Sequence, residues 1–106
     1  MTRAIVMSAS EAAIVRAILD RFIPPDACVY VFGSRAGGNP KPWSDLDLAF
    51  KSEAELPQGL FSELAEAFDE SALAWKVDLL DLSSVSEAFG KIVDATKIRL
   101  DVRADA

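Results

Sequence analysis

Two aspartates that alternate along one short segment are the first residues whose spacing suits chemistry. Asp45 and Asp47 stand in the run Ser44-Asp45-Leu46-Asp47-Leu48. Because side chains alternate between the two faces of a strand, we expect both carboxylates on one face, about 7 Å apart. Two carboxylates so placed can converge on a divalent cation, whereas without a cation or a base they would repel each other. The pair therefore predicts a cation site.

A third aspartate lies in a later apolar segment that is typical of a strand. Asp78 stands among the core-type residues of segment 75–81. A charged side chain in such a strand is costly unless it is paired or bound to a metal. If this strand lies beside the strand of Asp45 and Asp47, three carboxylates share a face. They can then hold two divalent cations about 3.5–4 Å apart, as in nucleotidyl transfer. The odd spacing puts Asp81 on the opposite face.

A glycine–serine pair upstream of the aspartates suits a phosphate group. Gly33 and Ser34 follow an apolar segment and precede a loop rich in Gly, Pro and Asn. Glycine lets the backbone approach a ligand, and the serine hydroxyl with nearby N–H groups can donate to phosphate oxygens. Arg35 and Lys41 are the cations that we expect to contact phosphate. Trp43 either packs its loop onto the sheet or presents an aromatic surface to a base or a partner.

The composition narrows the class of protein and the kind of metal. The 106 residues predict a single domain, 1–106, and an apolar fraction of 51% is ample for a packed core. A net charge of −6 argues against direct nucleic-acid binding. With no histidine, metal binding must use carboxylate oxygens, which favours Mg²⁺ or Mn²⁺. The one cysteine, Cys28, excludes an internal disulfide. The apolar stretch among the first residues is too short for a signal peptide or a membrane span, so we expect a cytoplasmic location.

The surrounding sequence predicts the elements that position these groups. Apolar periodicity indicates helices near 9–22 and 58–71 and a third after residue 84. Capping boxes are predicted at Ser8 and Glu11 for the first helix and at Ser84 and Glu87 for the third. Strands are predicted at 27–33, 46–51 and 75–81, with a short terminal strand at 97–100 and a frayed end at 103–106. The first strand is apolar on both faces, which predicts a central position. The fold class is α/β (α+β), a small mixed β-sheet with helices packed mainly on one face.

The glycine–serine pair and the spaced aspartates together resemble the signature of the DNA polymerase β-like nucleotidyltransferase superfamily. The sequence is most similar to the small one-domain branch of this superfamily, the minimal nucleotidyltransferases. The similarity lies in the motif Phe32-Gly33-Ser34-Arg35-Ala36 followed by Ser44-Asp45-Leu46-Asp47-Leu48. This resemblance implies a polymerase β-like palm. It also implies that Asp45 and Asp47 hold the metals, that Asp78 completes the catalytic site, and that Gly33, Ser34 and Arg35 bind the nucleotide. One departure is Gly37, where the family more often has a second arginine.

Members of this branch are commonly antitoxins of HEPN-domain toxins. The resemblance therefore implies Mg²⁺-dependent transfer of a nucleoside monophosphate, AMP from ATP, to a tyrosine of a cognate HEPN toxin. The main alternative is a non-catalytic antitoxin that neutralises its partner by binding alone. A small-molecule nucleotidyltransferase shares the metal site, but relatives of that kind carry an extra helical domain for which this chain has no residues. The nucleotide specificity, the number of nucleotides transferred and the oligomeric state stay open.

Overall fold

The computed structural model describes residues 4–102 and has three α-helices and four strands in that range. In chain order the elements are α1 (Ala9–Phe22), β1 (Cys28–Phe32), a 3₁₀ turn (Gly33–Arg35), β2 (Leu46–Lys51), α2 (Leu60–Asp69), β3 (Val77–Asp81), α3 (Glu87–Thr96) and β4 (Ile98–Leu100). The predicted elements are all present. Residues 1–3 and 103–106, which include the predicted frayed end and the limits of the predicted domain, lie outside the described residues.

The four strands form one mixed sheet in the order β3-β2-β1-β4. β1 is antiparallel to both β2 and β4, whereas β2 and β3 are parallel. The prediction of β1 as a central strand is therefore confirmed. The register pairs Asp47 with Asp78 on one side and with Phe32 on the other. Paired residues of neighbouring strands share a face, so this row crosses one face of the sheet.

The main core lies between the opposite sheet face and two helices. The fully buried strand residues of that face are Val29, Val31, Leu46, Leu48 and Phe50, each at most 1% exposed. They form one cluster with the apolar stripes of α1 and α2. α3 contacts the other face, where the Phe89 ring lies edge-on to Phe32 with centroids 6.4 Å apart. Two of the three helices in the described residues thus share one face, as predicted.

The first capping box is confirmed and the second is wrong. The Ser8 hydroxyl accepts from the Glu11 N–H, and the Glu11 carboxylate accepts from the Ser8 N–H. This backbone hydrogen bond is the main cause that lowers the pKa of Glu11. At α3 the cap is Ser86, whose hydroxyl accepts from the Phe89 N–H. Ser84 is not the cap, because it lies within the turn that follows β3, where its N–H donates to the Asp81 carbonyl, and α3 begins only at Glu87.

None of the helices within residues 4–102 has both the length and the apolar character that a membrane span requires.

Candidate active site

Asp47 and Asp78 come together at the start of the parallel strands β2 and β3. They are register partners, and Asp47 is half-buried whereas Asp78 is exposed. The pKa of Asp47 is raised to about 6, mainly by burial and then by the charge of Asp78, a hydrogen bond with the Asp78 carboxyl group and the charge of Asp45. The neighbour relation of the two strands, on which the predicted site depended, is therefore present. Asp81 pairs with Phe50 on the core face, on the opposite side from Asp78.

Asp45 lies one residue before β2 and is exposed. Its charge acts on Asp47, but within residues 4–102 no three His, Cys, Asp or Glu side chains are grouped closely enough to hold a metal by themselves. A carboxylate pair with one further carboxylate nearby still fits Mg²⁺ in donor chemistry. This ion is usually bound by one or two carboxylates together with substrate phosphates and water, rather than by a complete protein cage.

Gly33 places the turn after β1 directly against the Asp47 carboxylate. Its φ is +74°, in the left-handed region that favours glycine. A Cβ at this position would lie 2.3 Å from Asp47 Oδ2, closer than two such atoms can approach. Gly33 and the following Ser34 are both exposed. A ligand at this turn would therefore meet the backbone of Gly33, the Ser34 hydroxyl and the carboxylate pair at once.

The Arg35 side chain lies inside the protein, and the prediction that it contacts phosphate is wrong. Arg35 is only 4% exposed. Its guanidinium lies over the Trp75 ring, 4.5 Å from the centroid. Its N–H groups donate over 2.9–3.5 Å to the backbone carbonyls of Val6, Lys41, Pro42 and Ser44. Four of its five N–H groups are used in this way and the side chain is almost fully buried, so little of it is accessible to a nucleotide at the turn.

The sequence held a signal for this role of Arg35. Pro40 and Pro42 have no N–H group, so the loop around them cannot form regular backbone pairing and its carbonyls need another donor. An arginine, with five N–H donors in a planar fork, suits several carbonyls that converge from one loop. The proline-rich composition of the loop therefore indicated a buried arginine as well as an irregular backbone.

The two other loop residues singled out from the sequence are both exposed. Trp43 is 69% exposed, so the interpretation that it packs the loop onto the sheet is wrong. The Lys41 ammonium lies 5.8 Å from the centroid of the Trp43 ring. After Arg35 is excluded, Lys41 is the predicted phosphate-binding cation that is still open to solvent.

Comparison with known proteins identifies relatives that match most of the chain. Residues 18–101 match the family model described as polymerase beta, nucleotidyltransferase. The chain is similar to a probable protein adenylyltransferase MntA of Haemophilus influenzae. The two are 47% identical over 87 residues, which cover 82% of this chain and 75% of the relative.

Solved structures with the same fold include toxin–antitoxin complexes. A crystal structure of a toxin–antitoxin with AMP-PNP matches with a TM-score of 0.66 and 31% identity, over 85% of this chain and 72% of that chain. A crystal structure of the toxin–antitoxin MntA–HepT matches with a TM-score of 0.63 and 25% identity, over 89% of this chain and 72% of that chain.

Proposed function

Because this chain belongs to the polymerase β nucleotidyltransferase family, we propose that it transfers AMP from ATP to a hydroxyl group of a partner protein. We propose a tyrosine of a cognate HEPN-domain toxin as the acceptor, so that the chain acts as the antitoxin in the cytoplasm. The relative from Haemophilus influenzae and the structural neighbour with AMP-PNP support this proposal. The observation that carries it is the pairing of Asp47 with Asp78 beside the Gly33 turn.

The proposed reaction assigns a role to each polar group of the site. The acceptor oxygen forms a bond to the α-phosphorus of ATP, the bond from that phosphorus to the bridging oxygen breaks, and pyrophosphate leaves. Asp78, the exposed member of the pair, accepts the proton of the attacking hydroxyl. Gly33, Ser34 and Lys41 bind the phosphates. Asp45 and Asp47, with Asp78, would hold Mg²⁺, which when bound neutralises charge on the phosphates.

A matched pair of aspartates on β3 tests this assignment. Asp78→Asn should lower the rate of AMP transfer to the toxin by about 10²–10⁴-fold, because the proton acceptor and a carboxylate of the pair are both lost. Asp81→Asn should keep the rate, since Asp81 faces the other side and accepts from the Ser83 N–H and hydroxyl. The measurement is the transfer of label from α-labelled ATP to the toxin in the presence of Mg²⁺. Equal rates for the two variants would contradict the assignment.

Binding of MgATP should be visible without turnover. A ligand that binds only the native state raises its melting temperature. We expect MgATP to raise the melting temperature more at about pH 7.5 than at about pH 5. The pKa of Asp47 is raised to about 6, so at the lower pH protons compete with the cation for this carboxylate. ATP with EDTA provides the control. A shift of equal size at both pH values would count against a role of Asp47 in metal binding.

Exposed apolar residues favour a second candidate, neutralisation by binding alone. On α3, Phe89 is 40% and Ile92 64% exposed, and the Phe89 ring contacts Phe32 beside the carboxylate pair. Exposed apolar surface next to the site suits a protein partner whether or not transfer takes place. The two candidates differ for a chain in which Asp45, Asp47 and Asp78 are all asparagine. If this variant neutralises the toxin as well as the wild type at equal expression, transfer is not required.

A further inference from the structure

The buried guanidinium of Arg35 contacts every segment that leads into the candidate site, and we infer that Arg35 is a positioning residue for the transfer reaction. The inference rests on the proposed function for its kinetic test. It differs from the predicted role of Arg35, in which the side chain contacts phosphate directly. Instead, Arg35 acts through the backbone of the segments that carry the aspartates and the phosphate-binding turn.

The first of these segments is the loop before β2. Arg35 Nε donates to the carbonyl of Ser44, the residue directly before Asp45, over 3.0 Å. The same loop is closed on itself, because the Ser44 N–H donates to the Lys41 carbonyl and the Ser44 hydroxyl accepts from the Lys41 N–H. A contact to the Pro42 carbonyl adds a further attachment. The backbone before Asp45 is therefore held both by Arg35 and by hydrogen bonds within the loop.

The second segment is the entry to β3. Arg35 stacks on the Trp75 ring, and the Trp75 Nε1–H donates to Glu11 at the start of α1 over 3.2 Å. The next residue, Lys76, accepts at its carbonyl from the Leu46 N–H, which pairs the beginnings of β2 and β3. Trp75 precedes Asp78 by three residues. The Trp75 ring, held between Arg35 and Glu11, therefore anchors the entry to β3, the strand that carries Asp78.

The third segment is the turn that contains Arg35 itself. The Val6 N–H donates to the Arg35 carbonyl over 2.8 Å, and the Val6 carbonyl accepts from Arg35 Nη1 over 2.9 Å. Val6 is therefore held by both of its backbone groups. This double attachment ties the Gly33–Arg35 turn to the segment before α1. The turn, the loop before β2 and the entry to β3 all meet at one side chain.

Only an arginine suits this position chemically. A guanidinium is a rigid planar fork that donates in several fixed directions while its face stacks on an aromatic ring. A lysine ammonium keeps the positive charge but is a compact group with three donors, and it cannot span carbonyls on both sides of the loop. Arg35→Lys therefore retains the charge and removes the geometry.

The test compares Arg35→Lys with Arg21→Lys on α1. Arg21 is exposed and also lies over an aromatic ring, that of Phe22, at 5.1 Å, so the same substitution is made in a similar contact away from the site. We expect Arg35→Lys to lower kcat for AMP transfer by about 10²-fold, because small misplacements of reacting groups have effects of that size. The KM for ATP should stay within about twofold of the wild type, since no substrate contact is lost. Arg21→Lys should match the wild type in both constants.

Hydrogen exchange gives a readout that does not depend on activity. In Arg35→Lys, amides of residues 41–45 and 75–78 should exchange faster, while those of β1 keep their protection. Ser44→Ala, which removes only one hydrogen bond of the loop, should show the same change at 41–45 with a smaller loss of kcat. Ser44→Ala keeps the Arg35 contact to the Ser44 carbonyl, so if Arg35→Lys does not fold, this milder variant tests the second step of the inference, that the order of the 41–45 backbone determines kcat.

Two kinetic results would overturn the inference. One is an unchanged kcat in Arg35→Lys, and the other is a raised KM for ATP with kcat preserved, which indicates direct contact with phosphate. If the wild type itself transfers no AMP, the proposed function fails, whereas faster exchange confined to the two segments would still support the positioning role. Unchanged exchange in a folded Arg35→Lys would contradict it.

Discussion

Replacing Asp47 by asparagine should abolish AMP transfer and at the same time stabilise the metal-free protein above about pH 6. Transfer should fall by at least about 10³-fold, because Asp47 is the central carboxylate between Asp45 and Asp78 and each of the other two acts on it. The gain in stability has a separate origin. The wild type keeps a half-buried carboxylate beside two others, and the neutral amide removes that repulsion.

The direction of the pH effect follows from the raised pKa of Asp47. It increases from 3.8 to about 6 on folding, so between these values the native state binds more protons than the unfolded state. The contribution of Asp47 to stability is complete below pH 3.8 and is lost as the pH rises through 6. After allowance for solvent screening, the free energy of unfolding should rise by about 1 kcal/mol in Asp47→Asn at neutral pH.

Denaturant unfolding of both proteins in EDTA, at about pH 4 and about pH 8, measures this difference. We expect the variant to be the more stable at the higher pH and the gap to close at the lower one. Asp81→Asn, on the other face of β3, serves as the control, and its stability relative to the wild type should not change with pH in this way. An Asp47→Asn protein that is less stable than the wild type at about pH 8 would contradict the prediction.

The second large effect is expected for Gly33→Ala. The added Cβ would lie 2.3 Å from Asp47 Oδ2, so the carboxylate must move. Because this atom is the end of a side chain, it can rotate away at little cost in stability, but the carboxylate then leaves the site. We expect AMP transfer to fall by about 10²-fold or more, as for other misplaced reacting groups. The free energy of unfolding should fall by only about 1–2 kcal/mol, mainly from the left-handed backbone.

Gly59→Ala is the matched control for this backbone effect. Its φ is +85°, close to that of Gly33, but nothing lies within 4 Å of the position of an added Cβ. The alanine at this position should therefore cost a similar amount of stability and leave transfer unchanged. If both variants lose activity in proportion to stability, or if Gly33→Ala retains activity, the close approach of Gly33 to the Asp47 carboxylate does not matter for AMP transfer.

Much of this architecture could be predicted from the sequence because local patterns specify it. The periodicity and the capping box of α1 depend on neighbours in the chain, and its bounds at Ala9 and Phe22 agree with the prediction. The alternation around Asp47 likewise determined which side chains share a strand face. The pairing of β2 with β3 was the non-local step. The cost of leaving Asp78 alone in an apolar strand made this pairing a condition for the site, but no local pattern showed that the two strands are neighbours or that they are parallel.

The predictions failed where a side chain had two chemically reasonable partners. A guanidinium binds phosphate oxygens and backbone carbonyls equally well by type, so the sequence alone did not show which of them Arg35 contacts. Ser84 and Glu87 have the spacing of a capping box, but Ser84 belongs to the turn after β3 and the helix begins only at Glu87. In both cases the answer depended on which backbone groups the fold leaves unpaired, and that is a property of the assembled sheet.

The crossover from β2 to β3 has an evolutionary consequence. It carries α2 to the core side of the sheet, where Leu60, Leu64 and Phe68 are buried, and so keeps this helix away from the row that contains Asp47 and Asp78. Distant sites contribute almost additively to stability. Residues that recognise a new acceptor can therefore accumulate on one side of the molecule while the packing on the other side is inherited unchanged. A lineage with this layout can exchange partners without redesigning its fold.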